Sequence, residues 1–198
     1  MPHLKRIIDI IISTVLLIIL LPIFICIILF VKVSSKGPIF FKWNVIGKNG
    51  VPFTSYKFRT MGHNTDEIRQ NLLSFNEMKG PVFKMKNDPR ITSLGKILRK
   101  HSLDELPQLW SVLKGDMSLV GPRPAGPHEW ECYEEWQKRK LSVIPGITCL
   151  WQVNGRNEIY EFDEWVQMDL EYIDNWSILL DFKILLKTIP AILKGTGH

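Results

Sequence analysis

Two adjacent carboxylates define the chemistry open to this chain. Asp104 and Glu105 stand in the run His101-Ser102-Leu103-Asp104-Glu105-Leu106-Pro107. A short helix over residues 107–114 is expected just after them, with Pro107 in its first turn and Gly115 as its stop. A helix N-terminus offers unpaired N–H groups and favours phosphate. Carboxylates there can hold a hard divalent cation such as magnesium. An Asp can also attack phosphorus directly and form an aspartyl-phosphate type of intermediate. A plainer reading stands beside these: Ser102 and Glu105 have the spacing of a capping box, although Pro107 would then fall inside the capped helix.

A second constellation is cationic. Lys57 and Arg59 follow the alternation Phe53, Tyr56, Phe58. Arg90 follows the Asp88-Pro89 turn, Arg99 lies one short helix before Asp104, Arg123 is held between Pro122 and Pro124, and Arg156 follows Asn154-Gly155. Lone surface cations are usually only solvated. Cations on rigid or Gly/Pro-punctuated segments are instead suited to fixed contacts with phosphate. His63, His101 and His128 lack ligand spacing, and no nucleic-acid fold signature is present.

The elements that must position these groups are mostly helical, in an α+β arrangement. Residues 39–46 and 51–58 are β-prone, and Lys48-Asn49-Gly50 between them suits a type I′ hairpin turn. Helices are expected over 65–78, from Thr92 or Ser93 to about 100, over 130–141, over 160–173 and over 176–193, with Pro190 ending or kinking the last. That last segment has a narrow polar stripe of Ser177, Asp181 and Thr188. It reads either as a buried core helix or as an amphipathic helix in a membrane interface, with Trp176 at headgroup level.

Composition separates the chain into unlike parts. Its 198 residues are 45% hydrophobic and 23% charged, with net charge +5, which excludes a disordered or collagen-like chain. Three scattered cysteines exclude a disulfide framework or a zinc site. Residues 32–128 carry 16 Lys/Arg against 7 Asp/Glu, a surplus suited to anions, whereas residues 129–198 carry 7 against 12. Residues 10–31 hold no charge at all. As one straight helix they would span roughly a hydrocarbon core. Pro22 in their middle, and basic residues on both flanks (Lys5, Arg6; Lys32, Lys36, Lys42, Lys48), fit equally a re-entrant helix–break–helix that enters and leaves one leaflet. Ser13 or Thr14 could lend a hydroxyl to the broken backbone. The expected division is a membrane hairpin over 1–36, broken near Pro22, and a catalytic domain over 37–198.

Taken in order, several runs resemble one family over nearly the whole chain. They are Lys57-Phe58-Arg59-Thr60-Met61, Asp88-Pro89-Arg90-Ile91-Thr92, Ser102-Leu103-Asp104-Glu105-Leu106-Pro107-Gln108, and Lys114-Gly115-Asp116-Met117-Ser118-Leu119-Val120-Gly121-Pro122-Arg123-Pro124. Pro145-Gly146-Ile147-Thr148, Trp151-Gln152-Val153-Asn154-Gly155-Arg156 and Asn175-Trp176-Ser177 follow. The set resembles the bacterial sugar transferases, the small monotopic phosphoglycosyl transferases. The resemblance implies transfer of a sugar 1-phosphate from a UDP-sugar to a polyprenyl phosphate such as undecaprenyl phosphate, with UMP released. It implies Asp104 as nucleophile and Glu105 as its partner, with Mg2+ near Asp104, Glu105 and Asp169. Arg123 would bind the nucleotide, and Lys57, Arg59, Arg90, Arg99 and Arg156 the phosphates. It also implies the re-entrant hairpin, the bacterial inner (cytoplasmic) membrane with the catalytic domain facing the cytoplasm, no nucleic acid, and downstream glycosyltransferases in polysaccharide synthesis.

Three places depart from the pattern often seen in that family. Trp43-Asn44-Val45-Ile46-Gly47 replaces a Gln-x-Arg-x-Gly run, Cys149 replaces a Gly, and Ser111 replaces an Asn. Two rivals to phosphosugar transfer are a magnesium-dependent glycosyltransferase attacking the anomeric carbon, which would release UDP, and a non-enzymatic membrane-anchored protein that binds anions.

Overall fold

The computed structural model describes residues 3–62, 65–155, 158–195 and 197. Helix α1 (His3–Ile19) and helix α2 (Leu21–Ser34) meet at Leu20 with a bend of 61°. Pro22 lies in the first turn of α2, where its missing N–H breaks no intrahelical bond, so the break falls just before the proline. Leu20 N still donates to Leu16 O and Phe24 N to Leu20 O, each at 2.9 Å. Two backbone bonds thus flank the bend, and Ser13 does not reach it, donating within α1 to Asp9 O and Ile10 O. Among the described residues no single helix is long and apolar enough to cross a membrane.

Strands β1 (Phe40–Ile46) and β2 (Pro52–Phe58) form the expected antiparallel hairpin, in register from Phe40↔Phe58 to Ile46↔Pro52. Asn49 (φ 55°) and Gly50 (φ 78°) supply the left-handed pair that a type I′ turn needs. A second, parallel pair was not foreseen: β3 (Ser118–Val120) with β4 (Gly146–Thr148). At three residues each, these strands are too short to show a period. The pair closes only because residue 146 is glycine, since a Cβ there would lie 2.1 Å from Gly121 N.

Helix α3 (Thr65–Leu72) is shorter than expected. Asn76 stops it, its side chain donating to Met78 O and Val82 O and accepting from Met78 N and Lys84 N. Helix α4 (Ser93–Lys100) is capped by Thr92 Oγ1, which accepts from Gly95 N at 3.0 Å. A 3-10 turn (Leu103–Gln108) leads into α5 (Leu109–Lys114), so Pro107 sits inside the 3-10 turn rather than opening the α-helix.

The single charged helix expected over 130–141 is instead α6 (Pro127–Glu131), α7 (Glu135–Lys138) and a 3-10 turn, because Glu134 starts a new cap with Gln137. Then come α8 (Leu150–Val153), α9 (Phe162–Asp174) and α10 (Ile178–Lys194). Helix α10 starts at the Ser177 cap and runs through Pro190 to end at Gly195, so the proline does not terminate it.

Three apolar clusters hold these elements. One packs Trp151, Phe162 and Trp165 beneath β1. A second gathers Leu109, Val112, Leu119 and Ile184, with Ile12 and Leu16 of α1 against it. A third joins Ile27 and Val31 of α2 to Phe58 and Leu98, with Leu103 and Leu106 packed on. The 3-10 turn is thus wedged between the second and third clusters.

The charges at the start of α1 turn inward, so they do not serve as a free basic flank. Lys5 Nζ donates to Asp181 Oδ2 at 2.5 Å and to Val120 O at 3.0 Å. Asp181 also accepts from Tyr172 OH (2.7 Å) and Trp176 Nε1 (3.2 Å), which ties the indole to the domain. Asp9 accepts from Ser118 Oγ and Leu119 N. Arg6 donates to Val112 O, which also accepts from Gly115 N, and to Leu113 O, both at the C-terminus of α5.

Candidate active site

Ser102 starts the site. It adopts φ 52°, a left-handed conformation uncommon for a non-glycine residue, and makes no capping bond, so the capping-box reading does not hold. The kink lets Leu103 and Leu106 pack beside α2 while Asp104 and Glu105 face the hairpin. Lys57 Nζ on β2 donates to Glu105 Oε1 at 2.5 Å and joins the 3-10 turn to the sheet.

Asp104 and Glu105 line a pocket of about 370 Å³ together with Lys57, Arg59, Arg90, Arg99 and Arg123. Residues spread over 67 positions of sequence, from 57 to 123, thus meet around one cavity. Arg156 lies outside the described residues.

The cations are held in different ways. Arg90 is clamped by Asp88, with Nε to Oδ1 at 2.9 Å and Nη2 to Oδ2 at 2.6 Å. Burial pushes the Asp88 carboxyl upward, but the Arg90 bonds outweigh it and hold the group below its ordinary range. Arg99 Nε donates to Thr60 Oγ1 at 2.9 Å. Arg59 spends its guanidinium on the exit of α2, donating to Lys36 O, Ser35 O and Ser35 Oγ at 2.7 to 2.9 Å. Its place is therefore that of a strut between hairpin and domain as much as a phosphate ligand. Burial lowers the Lys57 pKa, with Arg123 adding to the effect and Glu105 and Asp104 opposing it.

Asp169 does not join the pair. It is fully buried and faces Lys140 Nζ at 2.8 Å, although neither carboxylate oxygen makes an aligned hydrogen bond. Burial raises its pKa against the pull of Lys140. It does not line the pocket, so the three-carboxylate metal set expected from the resemblance is not assembled. Among the described residues no three His, Cys, Asp or Glu side chains come together to hold an ion.

Sequence reasoning missed Trp43. Its ring lies 4.1 Å from Lys57 Nζ and 5.3 Å from the Arg123 guanidinium, so one indole contacts two pocket cations. The hairpin register carried the signal, since Trp43 pairs with Ser55 and its diagonal neighbour is Lys57. A neighbouring cavity of about 460 Å³ shares Trp43, Arg90, Arg99 and Arg123 and extends to Trp151 and Trp165. Those two rings stack at 4.0 Å with an interplanar angle of 3°.

The chain matches the family described as Bacterial sugar transferase over residues 2–195. It is 52% identical over 164 residues to the galactosyl transferase CpsE of Streptococcus agalactiae, covering 83% of this chain and 36% of that protein. It is 42% identical over 197 residues to the exopolysaccharide production protein ExoY of Sinorhizobium fredii, covering 98% of this chain and 87% of that one. It is 44% identical over 199 residues to the undecaprenyl-phosphate galactose phosphotransferase of Salmonella typhimurium, covering 98% of this chain and 41% of that protein. The chain belongs to the bacterial sugar transferase family. It spans most of the length of ExoY and less than half of the other two.

Proposed function

We propose that the chain transfers a sugar 1-phosphate from a UDP-sugar to undecaprenyl phosphate, at the bacterial cytoplasmic membrane with the catalytic domain facing the cytoplasm. The observation that carries this reading is the meeting of the Asp104–Glu105 pair with Lys57, Arg90, Arg99 and Arg123 around one cavity. A diphosphate needs several fixed cations, and transfer of its sugar-bearing phosphoryl group needs a nucleophile among them.

In the first step an Asp104 carboxylate oxygen attacks the phosphorus that bears the sugar. The bond from that phosphorus to the UMP oxygen breaks, and UMP leaves. In the second step a phosphate oxygen of the lipid attacks the same phosphorus, and Asp104 is released unchanged. The sugar–oxygen bond is never broken, so the anomeric configuration is kept.

Arg123 and Lys57, stacked on Trp43, orient the nucleotide phosphates. Arg90, made rigid by Asp88, and Arg99 neutralise the transferred group. The adjoining cavity beside Trp151 and Trp165 offers room for the rest of the donor.

Asp104 and Glu105 suit magnesium as a donor set, because this ion is commonly held by one or two carboxylates plus substrate phosphates rather than by an all-protein cage. Bound there, it would neutralise charge on the diphosphate. The bent hairpin α1–α2, with apolar faces exposed at Ile11, Ile18, Leu29 and Phe30, is read as entering and leaving one leaflet. The general reaction is supported by relatives named for undecaprenyl-phosphate galactose phosphotransfer and for UDP-glucose:undecaprenyl-phosphate glucose-1-phosphate transfer, which match 98% and 94% of the chain.

The test is nucleotide release from a panel of UDP-sugars with undecaprenyl phosphate in lipid particles. UMP is the expected product. Release of UDP would mean attack at the anomeric carbon, and release of neither would favour an anion-binding protein.

A further inference from the structure

Glu105 lines two cavities. One is the cationic pocket. The other is an apolar groove of about 440 Å³ between α1 and α10 that reaches Ser102 and Glu105 at the 3-10 turn. Ile12 and Leu16 of α1, Leu186, Ile189 and Ile192 of α10, and Leu109 of α5 line it. Its end is fixed beside the carboxylates: Ile192 O meets His101 Nδ1 at 2.8 Å, and Gly197 N donates to Lys100 O at 2.9 Å. The few polar side chains along it are already engaged. Thr148 and Thr188 bond to each other at 2.9 Å, Thr188 donates to Ile184 O, and Gln152 Oε1 accepts from Cys149 N. Such a lining selects hydrocarbon over sugar or nucleotide. The helices on either side also carry the exposed apolar residues Ile11, Ile18, Leu179 and Leu193, so a lipid chain could enter the groove without crossing water.

We propose that this groove holds the isoprenoid chain of the acceptor next to its phosphate. Donor and acceptor then reach the Asp104–Glu105 pair from separate cavities that share Glu105 as a wall. The inference rests on the polyprenyl phosphate reading of the reaction.

Ile189→Trp fills the groove, and Leu193→Trp places the same bulk on α10 outside it. Ile189→Trp is expected to raise KM for undecaprenyl phosphate about tenfold, equivalent to losing burial of roughly two methylene groups. KM for the UDP-sugar should not change, and Leu193→Trp should leave both values as they are. Equal effects of the two substitutions, or an equal rise in both KM values, would overturn the assignment. Independently of turnover, a diazirine-bearing isoprenyl phosphate should label the wild-type protein at residues 12–20 and 185–192 on irradiation. Labelling confined to the outer faces of α1 and α2 would also overturn it. If the wild type releases no UMP from any UDP-sugar, the reaction assignment fails, and the labelling result still decides the groove.

Discussion

At Lys57 four influences compete. Burial, the largest, and Arg123 disfavour the ammonium, whereas Glu105 at 2.5 Å and Asp104 favour it, and the net result is a pKa below the ordinary 10.5. A bound diphosphate adds negative charge beside it and pulls the pKa back up. By linkage, donor binding takes up a proton at alkaline pH, so donor affinity should fall as pH rises through the lowered value of Lys57. Calorimetry across that range should show the fall in the wild type and a flat response in Lys57→Met. The same variant should bind the donor at neutral pH roughly tenfold to a hundredfold more weakly, the loss of one charge-assisted bond of about 1.5–3 kcal/mol. Trp43→Ala is expected to raise KM for the donor by about fivefold to thirtyfold, because two cation–π contacts of roughly 0.5–1 kcal/mol each are lost. Its effect on KM for the lipid should be small.

Among the elements, the docking of α1 turns on one buried network. Lys5, Asp181, Tyr172 and Trp176 tie the first turn of α1 to α9 and α10, and Arg6 closes the end of α5. Removing Lys5 or Asp181 alone takes the ion-pair partner from the other's buried charge. Asp181→Leu alone should therefore cost about 3–5 kcal/mol, and the double variant Lys5→Met/Asp181→Leu should recover much of it. Unfolding in detergent followed by circular dichroism measures both.

Much of this framework was legible in the sequence. Asn49-Gly50 announced the hairpin, Thr92 announced α4, and the alternation around Lys57 announced β2. The fragments α6 and α7 were not legible, because Glu134 and Gln137 form a local cap inside a run that reads as one charged helix. The β3–β4 pair was hidden by its brevity and by its dependence on contact between Gly121 and Gly146. Within the site, the carboxylate pair and four of the cations were readable from residue type beside turns. The placements of Asp169, Arg59 and Trp43 were not, because each is set by a partner distant in sequence: Lys140, the carbonyls at the exit of α2, and the cross-strand register.

For the molecule as a whole, the outer faces of α1, α2 and α10 carry large apolar side chains with no protein cover. Helix α1 has 17 residues and α2 has 14, or about 25 and 21 Å at 1.5 Å per residue, each short of a hydrocarbon core of about 30 Å. A bent pair of that length suits entry and exit on one side. The cysteines provide a direct check, since Cys26 on α2 and Cys132 beyond α6 are exposed on the protein and Cys149 is buried. In sealed inverted membrane vesicles a membrane-impermeant maleimide should label Cys132 and spare Cys26, and detergent should expose both. Labelling of Cys26 in intact vesicles would place α2 in water.

In the proposed seating, the pocket cations and the proposed nucleophile Asp104 lie where a soluble diphosphate and a lipid phosphate would meet. Intact-mass analysis of the protein incubated with UDP-sugar and no lipid acceptor tests that arrangement at its centre. The expected result is a mass increase of one sugar phosphate, mapped to Asp104, absent in Asp104→Asn and discharged on adding undecaprenyl phosphate. An Asp104→Asn protein that carries the same adduct, or that turns over at the wild-type rate, would contradict it.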